Sequence, residues 1–237
     1  MKNITEPKIK ECVKIAVIDS GISKNVSDLK NYVKYSTGYR VGKSQYIEEY
    51  KKTKPIHPHG TAVALIIRNI CDKVDLYSIN ILDEQLSTDG RVLLHALTEA
   101  MHLKPDIIHL SLGTTSWRYF LPFRKIVKKA IAQDTIIVSA ANNYGKRCFP
   151  AHLKGVVGVK AQESELAEYS YKSGFYYAPF STSSISGIEE IDGGENFVGT
   201  SFSAAYITGH LASIIVETPL SCNATAIKYL QYFCYSY

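Results

Sequence analysis

Short, almost entirely apolar runs recur along this 237-residue chain, and stretches with helical spacing separate one run from the next. Runs in which nearly every residue is apolar are typical of strands that are buried on both faces of a sheet. Strands that alternate with helices form parallel sheets with helices on both faces. We therefore predict a three-layer α/β fold, in which a mainly parallel sheet lies between two helical layers. The predicted strands are residues 13–18, 74–81, 107–112, 136–140 and 156–160.

The helical stretches alternate with these strands and continue after the last of them. Asp89 or Thr88 can cap the second helix, and Pro105 follows its end. Residues 42–58 are polar and predict a loop, whereas residues 169–197 are rich in Ser, Gly and Tyr and predict turns and short edge strands. The predicted helices are residues 60–71, 88–103, 118–133, 200–215 and 223–233.

The composition is that of a globular protein. Apolar residues make up 46% of the chain and charged residues 21%, which excludes an intrinsically disordered chain. The net charge of +5 is too small to indicate a nucleic-acid-binding protein. The longest apolar run, residues 63–67, is far shorter than the roughly 20 residues that a membrane helix needs. We predict a single domain over residues 1–237, with neither nucleic acid nor membrane as a partner.

The cysteines and the first residues of the chain bear on its location. Five cysteines are an odd number and include no CxxC pair, which favours reduced thiols over a disulfide framework. The first residues lack the apolar segment of a signal peptide. A cytoplasmic location is therefore expected.

Three residues at element ends could carry chemistry. Asp19 ends the first predicted strand, where α/β proteins build their sites, although a carboxylate in an Asp-Ser-Gly turn has a structural alternative. His59 opens an apolar helix, and Gly60 leaves room beside it for another chain segment. Ser201 opens a second helix, where it could be an N-cap or a hydroxyl close to backbone N–H groups that can bind an oxyanion.

Tandem asparagines follow a fourth buried strand. Asn142 and Asn143 come directly after the strand predicted at residues 136–140 and its neighbour Ala141, and before Tyr144 and Gly145. They could form a turn, or one amide could donate a hydrogen bond to a developing oxyanion.

In the order Asp, His, Ser, these residues match one known arrangement, and the chain resembles the subtilisin-like serine proteases, or subtilases. The resemblance covers roughly residues 13–215. Four motifs carry the resemblance: residues 17–22 (VIDSGI), 59–64 (HGTAVA), 138–143 (VSAANN) and 199–204 (GTSFSA). A fifth segment, residues 111–113, is similar to the family strand that pairs with extended substrate backbone.

The resemblance implies a role for each of these residues. Ser201 would be the nucleophile, His59 the general base, Asp19 the partner that orients and stabilises the imidazole, and Asn143 the oxyanion donor. No cofactor and no metal are implied. The residues implied in binding the substrate are Ser111, Leu112, Gly113, Ala141, Asn142 and Cys148.

Three departures from the family pattern refine these expectations. The aspartate strand begins at Val13, which leaves no room for the family's usual inhibitory prodomain, so either the chain folds without one or the sequence is a trimmed form. The helix after His59 continues through Cys71 into the next strand, so the calcium-binding loop that many relatives insert there is missing. Cys148 falls near the base of the primary specificity pocket, where its bulk and neutrality argue against a long basic substrate side chain.

The resemblance implies a serine endopeptidase whose partner is a peptide or protein substrate. The absence of a prodomain favours a dedicated processing enzyme, such as one that removes leaders from ribosomally made peptides, although general turnover stays open. The alternative is a catalytically silent peptide-binding module of the same fold, against which the intact set of Asp19, His59, Ser201 and Asn143 speaks. A nucleotide-binding protein would need a Gly-rich phosphate loop, and residues 20–23 match neither common motif.

Overall fold

A computed structural model describes residues 9–51, 55–162 and 169–234. The described residues form one sheet of nine strands with the order β3-β2-β4-β1-β5-β6-β7-β9-β8. The strands are β1 Val13–Asp19, β2 Val33–Val41, β3 Ile47–Tyr50, β4 Val74–Asn80, β5 Ile107–Leu110, β6 Ile136–Ala140, β7 Val157–Gln162, β8 Ser170–Lys172 and β9 Phe175–Pro179. The helices are α1 His59–Ile70, α2 Gly90–His102, α3 Phe120–Ala132, α4 Thr200–Glu217 and α5 Asn223–Phe233.

The seven strands from β2 to β9 in the sheet order are parallel to one another. Strands β3 and β8 add antiparallel edges. In the centre, β1 pairs with β4 from Val13–Val74 to Asp19–Asn80, and with β5 on its other side. The predicted mainly parallel, three-layer α/β fold is therefore confirmed.

Two apolar cores lie on opposite faces of the sheet, because successive side chains of a strand point to opposite faces. On β1, Val13, Ile15 and Val17 join the core that contains α1 and α4. Ala16 and Ile18 join the core that contains α2 and α3. Each fully buried side chain of this size stabilises the fold by about 1.5–3 kcal/mol relative to its exposure, so burial on both faces fixes β1 at the centre.

Helices α1 and α4 pack closely against each other and are buried over most of their length. A Cβ added to Gly209 of α4 would lie 2.7 Å from the Cβ of Ile70. The small residues of α4 therefore allow the two helices to approach, and their first turns open at the same edge of the sheet.

The structure differs from the sequence prediction at the sheet edge. The predicted loop at residues 42–58 contains β3, and β2 precedes it without having been predicted; residues 52–54 of that loop lie outside the described residues. Edge strand β3 carries the polar side chains of Glu48 and Glu49, because an edge strand faces solvent and lacks the continuous apolar run of a central strand. In β2, which lies between β3 and β4, polar residues also interrupt the apolar ones. Strand β5 ends at Leu110, so residues 111–113 leave the sheet.

Candidate active site

The candidate residues gather at the carboxyl edge of the parallel strands. Asp19 is the last residue of β1, and Asn143 follows β6. His59 is the first residue of α1, and Ser201 is the second residue of α4. Parallel strands end at one edge, and the helices that follow them begin there, which is the usual location of sites in α/β proteins.

Asp19 and His59 form a buried pair. The Nδ1 atom of His59 lies 2.8 Å from Oδ1 and 3.1 Å from Oδ2 of Asp19. Asp19 is fully buried and His59 is 8% exposed. Because a carboxylate only accepts, His59 Nδ1–H donates, and Nε2 of the neutral ring is left as an acceptor.

The pairing shifts the pKa of both groups. Burial acts to raise the pKa of Asp19, but the charge and hydrogen bond of His59, with hydrogen bonds from Ser111 and Ser20, hold that pKa below its ordinary value. Burial acts to lower the pKa of His59, and the charge and hydrogen bond of Asp19 outweigh it and raise the pKa above its ordinary value. The site therefore stabilises an ionised carboxylate beside a protonated imidazole.

The turn after β1 holds this pair in place. The hydroxyl of Ser20 donates to His57 O over 2.8 Å and accepts from Gly60 N–H over 3.0 Å, which ties the turn to the start of α1. A Cβ on Gly60 would lie 2.5 Å from Gly21 O and 2.9 Å from Asp19 Oδ1. Gly60 thus leaves room for the neighbouring segment, as predicted.

Ser201 precedes a residue that contacts the pair. The ring of Phe202, the next residue, is 5.0 Å from the ring of His59. Among the hydrogen bonds of the described residues, that of the Ser201 hydroxyl goes to Ser111 O over 3.0 Å and not to His59. Gly199, which precedes the helix, has φ of +147°, a conformation that side-chain-bearing residues rarely adopt.

The two asparagines have different contacts. Asn142 Oδ1 accepts from the backbone N–H of Tyr144 over 2.9 Å, which is a turn contact. Asn143 Oδ1 accepts from Thr200 N–H over 3.0 Å. Because a backbone N–H must meet the amide oxygen, the orientation of the Asn143 amide is fixed and its NH₂ group is left to donate elsewhere.

The remaining predicted binding residues lie on two chain segments that contact each other. Thr114 and Phe149 form an antiparallel bridge with two hydrogen bonds of 2.8 Å, which joins the segment after β5 to the loop that carries Cys148. A Cβ on Gly113 would lie 2.7 Å from Phe149 O and 3.8 Å from Cys148 Cβ. Ala141 and Cys148 are buried in one small apolar cluster, and Leu112 packs against the core on the α2 side.

The sequence model of the subtilase family matches residues 10–231. The chain belongs to the subtilase family. Its similarity to the family therefore extends over nearly the whole length printed, well beyond the motifs at the carboxyl edge of the sheet.

Known relatives of this subtilase are moderately similar. The minor extracellular protease Epr of Bacillus subtilis (strain 168) is 34% identical over 172 residues, which are 67% of this chain and 25% of Epr. The major intracellular serine protease of the same organism is 27% identical over 237 residues, covering 85% of this chain and 68% of the relative. The chain thus spans only a quarter of the length of Epr.

A solved structure has the same fold. The crystal structure of a lanthipeptide protease superimposes with a TM-score of 0.66 at 21% sequence identity, and the match covers 86% of this chain and 73% of the other.

Several residues at the subtilase site were not singled out from the sequence. Ser20, His57 and Thr200 all make hydrogen bonds to site residues or to the segments that carry them. His109 is fully buried in β5 and bonds to the side chain of Ser111. His109 could have been selected from the sequence, because it is a polar residue within an otherwise apolar predicted strand.

The described part of this subtilase contains no group of three or more His, Cys, Asp or Glu side chains placed to hold a metal ion. Within the same residues, none of the helices combines the length and the apolar character needed to cross a membrane.

Proposed function

We propose that this subtilase is a serine endopeptidase that hydrolyses peptide bonds through Asp19, His59 and Ser201, with Asn143 as the oxyanion donor. The observation that carries the proposal is the buried Asp19–His59 pair, whose imidazole contacts Phe202, the residue after Ser201 in the first turn of α4. This pair leaves an unprotonated Nε2 atom on the neutral imidazole, which is the state that a general base requires.

The reaction begins with the Ser201 hydroxyl turning from Ser111 O toward His59 Nε2. His59 takes the proton as Ser201 Oγ forms a bond to the scissile carbonyl carbon, and the imidazolium then gives that proton to the leaving amine. Water attacks the acyl-enzyme in the second half, with His59 again as base, and Ser201 is regenerated. Asp19 stabilises the imidazolium, in keeping with the raised pKa of His59.

The oxyanion of the tetrahedral intermediate would be bound by two donors. The Asn143 amide oxygen accepts from Thr200 N–H, so its NH₂ group is left to donate to the developing charge. The backbone N–H of Ser201 is in the first turn of α4, where the positive end of the helix dipole adds to the stabilisation.

The substrate would lie extended along residues 111–113, with backbone hydrogen bonds supplying affinity. Ala141 and Cys148 would form the floor of the pocket for the side chain before the cleaved bond. Burial raises the pKa of the Cys148 thiol, so this floor is neutral and favours an apolar side chain over a long basic one. Asn142 would act by shaping the turn beside that pocket.

A dedicated role in peptide processing fits best, with a peptide or protein precursor as the partner and leader removal as the reaction. It is supported by the structural likeness to a lanthipeptide protease. A cytoplasmic location is supported by the relative named as a major intracellular serine protease and by the five free thiols.

A second candidate is a peptide-binding module without turnover. The hydrogen bond from the Ser201 hydroxyl to Ser111 O favours it, because a hydroxyl held there is not yet aligned with His59. The two candidates differ in one testable property, which is whether Ser201 reacts as a nucleophile.

Reaction with a fluorophosphonate probe tests the proposal. We expect the wild-type chain to be labelled on Ser201 and to cleave precursor peptides. Ser201→Ala should lose both activities while keeping the circular dichroism spectrum and unfolding midpoint of the wild type. Folded wild-type protein that binds peptide but neither reacts nor cleaves would establish the binding module instead.

A further inference from the structure

Helix α3 and the turn before it carry a concentration of positive charge that the proposed mechanism does not use. Residues 117–133 contain five Lys and Arg and no Asp or Glu. The chain has 27 Lys and Arg in total, so the 22 that lie elsewhere equal its 22 Asp and Glu. The net charge of +5 is therefore that of this one segment. We call its five cations the basic α3 face, and they are Arg118, Arg124, Lys125, Lys128 and Lys129.

Helix α3 presents this face to solvent. All five cations are exposed, whereas Phe123, Val127 and Ala130 are buried on the other side of the helix. Two apolar side chains of α3 are also exposed, Leu121 at 60% and Ile131 at 56%. The basic α3 face therefore offers a partner apolar as well as cationic contacts.

The cations of the basic α3 face repel one another. In the part of the chain that the structure describes, none of the five forms an ion pair. The pKa of Asp89 is lowered mainly by Arg91, with which it pairs, and also by the charge of Arg118. Like charges four residues apart, such as Arg124 and Lys128, destabilise a helix. A ligand with several negative charges would relieve this repulsion.

Trp117 connects the basic α3 face to the segment proposed to bind substrate. Its ring centre lies 5.1 Å from that of Phe149, whose backbone pairs with Thr114. On its other side, the ring centre lies 5.7 Å from that of Phe120, the first residue of α3. Trp117 is 61% exposed, and the guanidinium carbon of Arg147 lies 5.1 Å from the centre of its ring. An exposed aromatic ring and a further cation thus lie between the proposed substrate segment and the helix.

The direction of a bound peptide follows from which end of this segment is open. The Ser201 hydroxyl meets Ser111 O, so the cleaved bond lies near Ser111. Leu110 before it is fully buried in the sheet, whereas Gly113 after it is exposed. Substrate residues before the cleaved bond can therefore pair only along the direction from Ser111 to Gly113, antiparallel to the chain. Residues further upstream in the substrate then continue toward Trp117.

We propose that the basic α3 face, together with Trp117 and Arg147, docks an acidic segment of the precursor peptide that lies upstream of the cleaved bond. A peptide fits better than other polyanions because the face continues from the proposed substrate segment. An extended peptide advances by about 3.3 Å per residue and α3 is about 20 Å long, so Asp or Glu about 5 to 12 positions before the cleaved bond would lie over the face. The proposal rests on the endopeptidase function proposed above and names the class of substrate for it.

Docking can be measured without turnover in Ser201→Ala, because Trp117 is the single tryptophan of the chain. Two synthetic peptides are compared, one with Glu and one with Gln at the upstream positions. Each exposed ion pair should contribute about two- to threefold, so we expect the Glu peptide to bind about 10-fold more tightly by calorimetry and to change the Trp117 emission. The difference should shrink as the salt concentration rises. Equal affinities, or binding of the Glu peptide without any change in Trp117 emission, would overturn the proposal.

Turnover by the wild-type active site tests the same face. In a triple variant, Gln replaces three exposed cations of α3, and the substitutions are Arg124→Gln, Lys125→Gln and Lys128→Gln. We expect KM for the Glu peptide to rise about 10-fold and kcat to change little, because the face is remote from the reacting atoms. The kinetics of the Gln peptide should stay as in the wild type. A rise in KM for both peptides alike would show that the triple variant acts without recognising the acidic segment, and the proposal would fail.

A matched control removes the same charge elsewhere. Lys73 and Lys104 are exposed just before β4 and β5, and Lys228 is exposed on α5. We expect the triple variant Lys73→Gln, Lys104→Gln, Lys228→Gln to keep the wild-type KM for both peptides. If its KM for the Glu peptide rises as much as in the α3 variant, net charge alone explains the effect and the docking face is refuted.

Other polyanions and an inactive enzyme give distinct outcomes. A DNA duplex or phosphatidylserine vesicles that bind the basic α3 face more tightly than the Glu peptide would contradict an acidic peptide as its occupant. If the wild type cleaves both peptides with the same KM, the docking proposal fails while the endopeptidase function stands. If the wild type neither labels nor cleaves, the endopeptidase function fails, and the titration of Trp117 emission alone decides whether the face binds an acidic peptide.

Discussion

At the residue scale, the two ends of the Asn143 amide have different roles. Its side-chain oxygen accepts from Thr200 N–H at the start of α4, and its NH₂ group is left for a ligand. The neighbouring Asn142 has a turn contact instead. One amide thus ties the loop after β6 to the helix that carries Ser201 and fixes the direction of its own donor.

Two substitutions of Asn143 separate its acceptor contact with Thr200 from its proposed role as oxyanion donor. Asn143→Ala removes both, so we expect kcat to fall by about two to three orders of magnitude with KM nearly unchanged. The lost acceptor at the helix start should also cost about 0.5–2 kcal/mol of stability. Asn143→Asp keeps an acceptor for Thr200 N–H, so it should lower kcat without the loss of stability. Steady-state kinetics and urea unfolding measure the two effects, and a rise in KM that matches the fall in kcat would contradict the oxyanion assignment.

The raised pKa of His59 predicts the pH dependence of the reaction. Only the neutral imidazole acts as a base, so kcat/KM should fall as the pH drops through the His59 pKa, which lies above its ordinary value of about 6.5. The neighbouring His57 has a lowered pKa, mainly through burial, and is already neutral in that range. His57→Gln should therefore retain an acid limb. A profile that stays flat down to about pH 5 would rule out His59 as the base.

At the scale of elements, the contact between the turn after β1 and the start of α1 determines how Asp19 meets His59. The Ser20 hydroxyl links the turn to both His57 O and Gly60 N–H. The backbone of Gly21 passes so close to Gly60 that no side chain fits between them. A strand end and a helix start are thereby held together more closely than side-chain contacts alone would hold them.

Gly60→Ala tests this close approach. The added Cβ would lie 2.5 Å from Gly21 O, so the turn must move and Asp19 with it. We expect a loss of about 1–3 kcal/mol from overpacking and a fall in kcat/KM of about 100-fold. Ala64→Gly on the same helix should cost about 1 kcal/mol through helix propensity without displacing the pair. Calorimetry and peptide kinetics compare the two variants, and equal effects of both on kcat/KM would contradict the prediction.

At the scale of the whole molecule, a polar cluster of Lys10, Asp106, Asp134 and Asn223 at the amino edge of the sheet holds helix α5 in place. The side-chain NH₂ group of Asn223, the first residue of α5, donates to Asp106 Oδ1 over 3.0 Å and to Asp134 O over 2.8 Å. Lys10 contacts both Asp106 and Asn223. This cluster joins the segments before β1, β5 and β6 to α5, on the side of the sheet away from the candidate site.

We expect Asn223→Ala to lower stability and spare activity. The variant removes two part-buried hydrogen bonds, to Asp106 and to Asp134 O, which should cost about 1–3 kcal/mol together. The proposed chemistry lies at the opposite edge of the sheet, so we expect kcat/KM at 25 °C to stay within about twofold of the wild type, as for other substitutions far from a site. Ser213→Ala, which removes an exposed hydroxyl contact to Glu217, should change stability by less than about 0.5 kcal/mol. A large loss of activity in folded Asn223→Ala would show that the cluster also shapes the site.

The sequence by itself determined the α/β class and the edge at which the site lies. Continuous apolar runs indicate buried strands. The residues that follow the parallel strands lie together at the carboxyl edge of the sheet. Asp19, His59 and Ser201 could be selected in this way because each stands at the end of a strongly patterned element. Edge strands such as β3 could not be predicted from the sequence. They are partly exposed, so their residues are polar, and a polar stretch is equally typical of a loop.

Only the tertiary structure decided which groups touch. Asp19 and His59 are 40 residues apart in the chain, Asn143 and Thr200 are 57 apart, Ser111 and Ser201 are 90 apart, and His109 and Thr208 are 99 apart. Apolar burial is a property of each segment and leaves a local pattern. A hydrogen bond depends on the direction and distance of two particular groups, which no local pattern records. The different contacts of Asn142 and Asn143, and the contacts of His109 with Ser111 and Thr208, therefore became visible only once the chain was folded.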